Sequence, residues 1–153
     1  MAQTTGGMSP QNMYVGFSTD GSSWTEVTGS ANSVEVSGGE RESGSARTFG
    51  TTTPITKYGG KAPLTVTVRG VYSEDADEAF RLAQAAYDGD TAFYVRWSPG
   101  GGDAGDYGYT TGAGQVMSPP YPGGAADTPE PILIEVAVEV PSITAAAIGT
   151  AGW

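Results

Sequence analysis

Apolar and polar residues alternate along most of this chain, and one stretch alone shifts to the helical period. In LTVTVRGVY, Leu64, Val66, Val68 and Tyr72 fall on one side and Thr65, Thr67, Arg69 and Val71 on the other. That two-residue period is the mark of a strand with one face buried. Ile132, Ile134, Val136, Val138 and Val140 line up in the same way, with Glu135 and Glu139 opposite. Thr91–Trp97 sets Thr91, Phe93, Val95 and Trp97 against Ala92, Tyr94 and Arg96, and Ser33–Ser37 turns Val34 and Val36 inward and Glu35 outward. Met13–Phe17 and Trp24–Val27 flank STDGSS, where Asp20-Gly21 predicts a tight hairpin turn. Tyr107–Thr111 and Gly114–Ser118 read as two short strands about Thr111-Gly112-Ala113.

Between Ser73 and Asp88 the spacing changes. Ala76, Ala79, Phe80, Ala83, Ala86 and Tyr87 recur at helical intervals and make one apolar face. Ser73 or Asp75 is placed to cap the first turn, and Glu74, Asp75, Asp77 and Glu78 oppose the positive end of the helix dipole. Gly89 is expected to supply the left-handed residue that stops the helix.

Three stretches lack either period. Gly38 to Pro63 (GGERESGSARTFGTTTPITKYGGKAP) is too long for a passive connector, since structureless loops beyond about 15 residues are uncommon in a compact domain. Strand character in Arg47–Thr53 predicts a protruding hairpin, and Glu40, Arg41, Glu42, Arg47, Lys57, Tyr58 and Lys61 are its candidates for partner contacts. SPGGGDAGDYG lacks the spacing of a phosphate cradle and has no helix behind it, and its two carboxylates lack the pattern of a calcium loop. PPYPGGAADTPEP is a proline-stiffened loop. The expected fold is mainly β, a β-sandwich or barrel-like domain with a single flanking α-helix over about 74–88 and a long protruding arm. Residues 1–12 are expected to be a flexible N-terminal segment, 13–140 a single β-rich domain with the arm at about 38–63, and 141–153 a C-terminal tail, a disordered terminus if unpaired or packed on a neighbour in an assembly.

Composition narrows the chemistry. The chain has 153 residues, enough for one core, and its 24 Gly and 10 Pro fit many turns. It has no His and no Cys, so the usual proton shuttle, thiol nucleophile and thiolate metal ligands are missing. The carboxylates stand at the helix start, outward on strands or beside loop glycines, which argues against a glycosidase pair. No catalytic residue, metal ligand or cofactor is expected. MAQTTGGMSPQN has neither the basic start nor the apolar run of a signal peptide. Pro131–Val140 is about half the length that a membrane helix needs. Seventeen acidic against seven basic residues give a net charge of -10, which repels nucleic acid.

The order of elements adds a resemblance. Alternating strands and a long arm lead into LTVTVRGVYSE and EAFRLAQAAYDGD, followed by FYVRWSPGG, GAGQVMSPP and ILIEVAVEV. This layout, from about Met13 to Val140, resembles the major tail tube proteins of long-tailed, siphophage-type bacteriophages. The resemblance implies a β-sandwich with one flanking helix that forms hexameric rings stacked into a hollow tube for DNA. It implies that the arm contacts a neighbouring ring or subunit and that an outward strand face lines the lumen. Glu35, Thr65, Thr67, Arg69, Glu135 and Glu139 are the lumen candidates, with Arg69 expected to pair with a glutamate. It also implies a virion protein assembled in the host cytoplasm, with tape measure and tail terminator or tip proteins as partners and no membrane association. DNA would pass through without specific binding. The alternative from another class is a β-sandwich binding module, with Tyr107, Tyr109 and Tyr121 stacking on a carbohydrate.

Overall fold

The computed structural model describes residues 10–50, 52–72, 77–124 and 130–153. A short 3-10 turn (Pro10–Asn12) leads into eleven strands and one α-helix among the described residues. The strands are β1 (Tyr14–Ser18), β2 (Thr25–Glu26), β3 (Ala31–Gly38), β4 (Arg41–Ala46), β5 (Ile55–Lys61), β6 (Leu64–Val71), β7 (Tyr94–Ser98), β8 (Tyr107–Thr111), β9 (Gln115–Val116), β10 (Leu133–Val140) and β11 (Ile143–Ala147). The helix, α1, spans Asp77–Asp88; the candidate caps Ser73 and Asp75 lie outside the described residues.

All strand pairs are antiparallel. One sheet runs β11-β8-β7-β1-β2, a second runs β3-β6-β10-β9, and β4 with β5 makes a two-stranded ribbon. The two larger sheets pack face to face as a sandwich, and no closed barrel forms. The alternation read from the sequence selects the inner faces: Val66, Val68, Ile134, Val136, Val138 and Val140 on the second sheet meet Val15, Phe17, Val95 and Trp97 on the first. α1 contacts β1 and β2 on one sheet and β9 on the other. It bridges the two with Phe80, Ala83 and Ala86, all buried. Phe17 sits at the junction, its ring 5.8 Å from Phe80 and 5.2 Å from Phe93. The strand expected from Thr91 begins at Tyr94.

Three expectations need correction. The helix does not stop on a left-handed Gly89; the residue with positive φ is Asp90, at 50°. Thr91 N–H donates to the Ala86 carbonyl and Asp90 N–H to that of Tyr87, the paired bonds of a Schellman cap centred one residue further on. The strands on either side of Thr111-Gly112-Ala113 do not pair: β8 belongs to the five-stranded sheet and β9 to the four-stranded one, so the chain crosses the sandwich there. The segment set apart as a tail holds β11, which pairs with β8 from Ile143↔Thr111 to Ala147↔Tyr107. Uncharged and rich in Ala, it forms an edge strand because β8 offers a free ladder.

Candidate functional site

The candidate surface is the outward face of the four-stranded sheet. β6 lies between β3 and β10, and the register sets its residues in rows. Arg69 stands between Ser33 and Glu135, Thr67 between Glu35 and Ala137, and Thr65 between Ser37 and Glu139. Gln115 on β9 extends the last row beside Glu139. The period of two that buries Val66 and Val68 thus turns Glu35, Thr65, Thr67, Arg69, Glu135 and Glu139 onto one face, as the alternation predicts.

Three carboxylates and one cation share that face. Arg69 is the centre of a triad: its Nε donates to Glu135 Oε2 at 2.6 Å and its Nη1 to Glu35 Oε2 at 3.2 Å. Glu135, and Glu35 after it, hold the guanidinium further into its charged range. The expected single glutamate partner is therefore two, one directly opposite and one diagonal. The sheet face presents carboxylate and hydroxyl groups, with its cation engaged on both sides.

The second candidate region is the arm. β4 and β5 form a hairpin that prolongs the β3–β6 ladder, with Gly39 N–H donating to the Pro63 carbonyl and Ala62 N–H to the Glu40 carbonyl across the junction. Gly38 and Gly39 turn the chain there with φ of 77° and 75°. A Cβ on Gly38 would stand 2.5 Å from the Pro63 oxygen, so the junction requires glycine. Strand structure lies at 41–46 and 55–61, and residues 47–50, where strand character was expected, belong to the tip. Glu40, Arg41, Glu42, Arg47, Lys57, Tyr58 and Lys61 are all exposed. Sequence reasoning passed over Phe49 and Ile55, which are exposed at the tip beside them; an aromatic within a polar run was the available signal.

A third feature was not legible. On the outward side of the five-stranded sheet, the Arg96 guanidinium lies 5.1, 4.6 and 4.8 Å from the ring centres of Tyr14, Trp24 and Trp153. Arg96 Nη2 donates to the Tyr14 hydroxyl at 2.8 Å. Trp153 N–H donates to the Gly102 carbonyl, and its indole packs against Gly108, where any side chain would collide with the ring. This arrangement fastens the C-terminal residues to the body.

Of the three tyrosines of the binding-module alternative, Tyr107 and Tyr121 are exposed and Tyr109 is partly buried. Tyr109 is stacked on Trp97 against the core, at 5.4 Å and 17°. Tyr121 donates to Asp88 of α1, and Tyr107 lies on β8 opposite Ala147. Among the described residues, no group of three or more carboxylates stands together to hold a metal ion. No helix among them is long and apolar enough to cross a membrane.

No family model and no curated protein matches the sequence. Solved structures do match in shape. A chain of the sheath-tube complex of an extracellular contractile injection system (PVC) in its extended state superposes with a TM-score of 0.66 at 12% identity, over 93% of each chain. A chain of the anti-feeding prophage tube-terminating cap gives 0.65 at 11%, over 96% of this chain and 95% of that one. A chain from the tail of an empty gene transfer agent particle, refined helically with C6 symmetry, gives 0.57 at 16%, over 95% and 98%. At identities this low the likeness is one of fold, and that fold recurs in the tubes and tails of phage-like particles.

Proposed function

We propose that this chain is the structural subunit of a tail tube, of the siphophage major tail tube type. Copies close into hexameric rings, the rings stack into a hollow tube, and DNA leaves a virion through the lumen. The observation that carries the reading is the union of a tube-and-tail fold with an acidic, hydroxyl-bearing sheet face whose Arg69 is held by two carboxylates. Lys and Arg contacts to phosphate bind DNA strongly and in a salt-dependent way. A wall of Glu35, Thr65, Thr67, Glu135 and Glu139, with Arg69 masked between two of them, offers DNA no such hold.

The sheet edges support ring closure. β3 is an edge strand, and Val36 on its inner side is 44% exposed. At the other edge, β9 pairs with β10 at Val138 and Glu139, Met117 N–H donates to the Ala137 carbonyl and Gly123 bridges Leu133, so only the middle of β10 is open. Laying β3 of one subunit against the β9–β10 edge of the next covers both edges, which isolated β-proteins must otherwise protect. Six copies per ring follow the C6 symmetry of the gene transfer agent tail. A tape measure protein in the lumen and terminator and tip proteins at the ends complete the set of partners. The site of assembly is the host cytoplasm and the final location is the virion tail. The chain performs no catalysis in this role.

Electron microscopy of the concentrated protein, with and without a nucleating tip complex, is expected to show rings or hollow tubes. Persistent monomers under both conditions would refute the reading. The lumen face has its own test in particles carrying Glu35→Lys, Glu135→Lys and Glu139→Lys together, which raises each subunit's charge by six units from -10. Intact tubes of this variant should release DNA slowly at low salt and recover as salt is added. Glu139→Lys alone, away from the Arg69 triad, should shift release in the same direction without disturbing the fold.

A further inference from the structure

Each of the two large sheets carries an arginine on its outward face, and the two are held in different ways. Arg69, on the four-stranded sheet, lies between the carboxylates of Glu35 and Glu135. Arg96, on the five-stranded sheet, has no carboxylate partner among the described residues. The rings of Tyr14, Trp24 and Trp153 frame its guanidinium instead, and its one hydrogen bond runs from Nη2 to the Tyr14 hydroxyl. Aromatic faces hold a cation through their quadrupoles and leave its net charge in place. With seventeen acidic residues against seven basic ones, the chain has no shortage of carboxylates to neutralise it.

The sequence makes room for this frame. Gly16 lies under the guanidinium, where a Cβ would stand 3.0 Å from the Tyr14 hydroxyl and 3.4 Å from Arg96 Nε. Gly108 does the same under the Trp153 indole. Of the chain's three Trp, Trp97 is buried in the core, whereas Trp24 is half-buried on this face and Trp153 is 36% exposed. The register sets Glu26, Gly16, Arg96, Thr110 and Thr144 in one row across the sheet. Glu26 stands two strands, about 10 Å, from Arg96 and does not pair with it. Arg96 Nε is buried without an acceptor, a cost that folded proteins seldom carry. Nη1 also makes no hydrogen bond, but it is not buried. The edge formed by Nη1 and Nη2 is thus open to an acceptor from outside. Trp, Tyr and Arg are also the side chains that carry most of the binding energy where proteins meet.

We infer that the outward face of the five-stranded sheet docks a second protein, which presents an acidic side chain to Arg96 between Trp24 and Trp153. A carboxylate is the complement of the open edge, accepting from Nη1 and from the second N–H of Nη2. The rings fix the guanidinium before the partner arrives, so little side-chain freedom is lost on binding, and they keep water from its faces. The acidic chain around the site repels polyanions such as nucleic acid. The fitting group is therefore a single carboxylate on a partner surface that is otherwise neutral or basic. The site is complete in one subunit and does not depend on the tail-tube reading. On that reading it lies on the face of the wall away from the lumen.

Titration of the isotope-labelled protein with the peptide acetyl-Ala-Glu-Ala-amide, followed by NMR at the Arg96 Nε–H and at the indole N–H of Trp24 and Trp153, tests this. The three signals should shift together and saturate with a Kd on the order of millimolar. The same peptide with Gln in place of Glu should leave them where they are. Thr110→Glu sets a carboxylate beside Arg96 in the row. It should keep or raise the melting temperature and weaken peptide binding by about tenfold or more. Thr110→Gln, of equal size and without the charge, should bind as the wild type does. Equal shifts from both peptides, no shift with the Glu peptide, or undiminished binding by Thr110→Glu would overturn the inference. Tighter binding of inorganic phosphate than of the Glu peptide would overturn it as well, since the site would then select a free anion and not a protein. Each of these outcomes is read on single subunits and leaves the tail-tube reading standing.

Discussion

The β3–β6 hairpin and the β4–β5 hairpin are one continuous ladder, yet they are held by different means. In the inner half, every second residue of β6 is buried at Val66, Val68 and Gly70, and β10 covers its other edge. In the outer half, all the residues of β4 and β5 are exposed and no third strand among the described residues joins them. A two-stranded hairpin alone in water is marginal at best. Burial therefore dictates the inner half, whereas no burial holds the outer half, which the proposed tail-tube function assigns to contact with another copy. On that proposal, folding energy and assembly energy occupy adjoining segments of the same two chain runs, divided at Gly38-Gly39.

Two phenylalanines give the sharpest test of that division. Phe17 is fully buried against Phe80 and Phe93, and Phe49 is fully exposed. Phe17→Ala should destabilise the monomer by about 3–5 kcal/mol in denaturant unfolding. Phe49→Ala should change it by less than about 0.5 kcal/mol, while weakening assembly. A similar loss of monomer stability from both would mean that the arm packs on its own body, and the comparison would fail.

The junction comes next. Gly38→Val places a β-branched residue at φ 77° and against the Pro63 oxygen, a strain of about 1–3 kcal/mol. Its effect should fall on the ladder at the division. Hydrogen exchange at the Gly39 and Ala62 amides, which cross the junction to Pro63 and Glu40, should accelerate while Val66 and Val68 stay protected. Acceleration throughout β6 would show that the two halves fold as one unit.

The C-terminal segment sharpens the comparison from the other side. The sequence set both the arm and residues 141–153 apart from the body, but the structure joins only the second to the core. β11 completes the five-stranded sheet, Ile148 is buried, and Trp153 closes on Arg96. Trp153→Ala should therefore cost the monomer about 1–2 kcal/mol, through lost cation–π and ring contacts. Deleting the arm tip, Gly44–Thr53, should leave monomer stability unchanged.

These contrasts also explain what was readable. Val66, Val68, Val136 and Val138 announce their faces because a period of two maps directly onto inside and outside, and the outward position of Glu35, Thr65, Thr67, Arg69, Glu135 and Glu139 follows as their complement. The arm was readable as an excess of polar length. The C-terminal strand was not, because ITAAA carries no alternation and its pairing with β8 depends on a neighbour distant in sequence. Arg96 was set on the face opposite Phe93, Val95 and Trp97, but its aromatic surround draws on Tyr14, Trp24 and Trp153, which only the tertiary fold brings together. The crossing after β8 was hidden by Gly112, which reads as a hairpin turn and serves as a passage between sheets. The side-by-side placement of Glu35, Arg69 and Glu135 required the register across three strands, which no single segment contains.

The smallest effect belongs to a turn of the body. Asp20 Oδ1 accepts hydrogen bonds from the Ser22 and Ser23 amides at 2.8 and 2.7 Å and from the Ser18 hydroxyl at 2.9 Å. The Ser23 and Ser22 amides, in that order, with Ser18 after them, hold its carboxyl well below the usual carboxylate range. A depressed folded pKa means that the unfolded chain takes up the proton first. The contribution to stability is therefore full above the unfolded value of about 3.9 and declines as pH falls below it. Asp20→Asn removes the charge and keeps one acceptor. The gap in unfolding midpoint between wild type and Asp20→Asn should be constant from about pH 5 upward and shrink below about pH 4. The turn is exposed, but it ends β1, which pairs with both β2 and β7 and carries Phe17 into the core. Its titration should thus appear in global unfolding, unlike any change at the exposed arm tip. A gap that does not vary with pH would show that the β1–β2 turn opens independently of the core and belongs, with the arm, outside the cooperative unit.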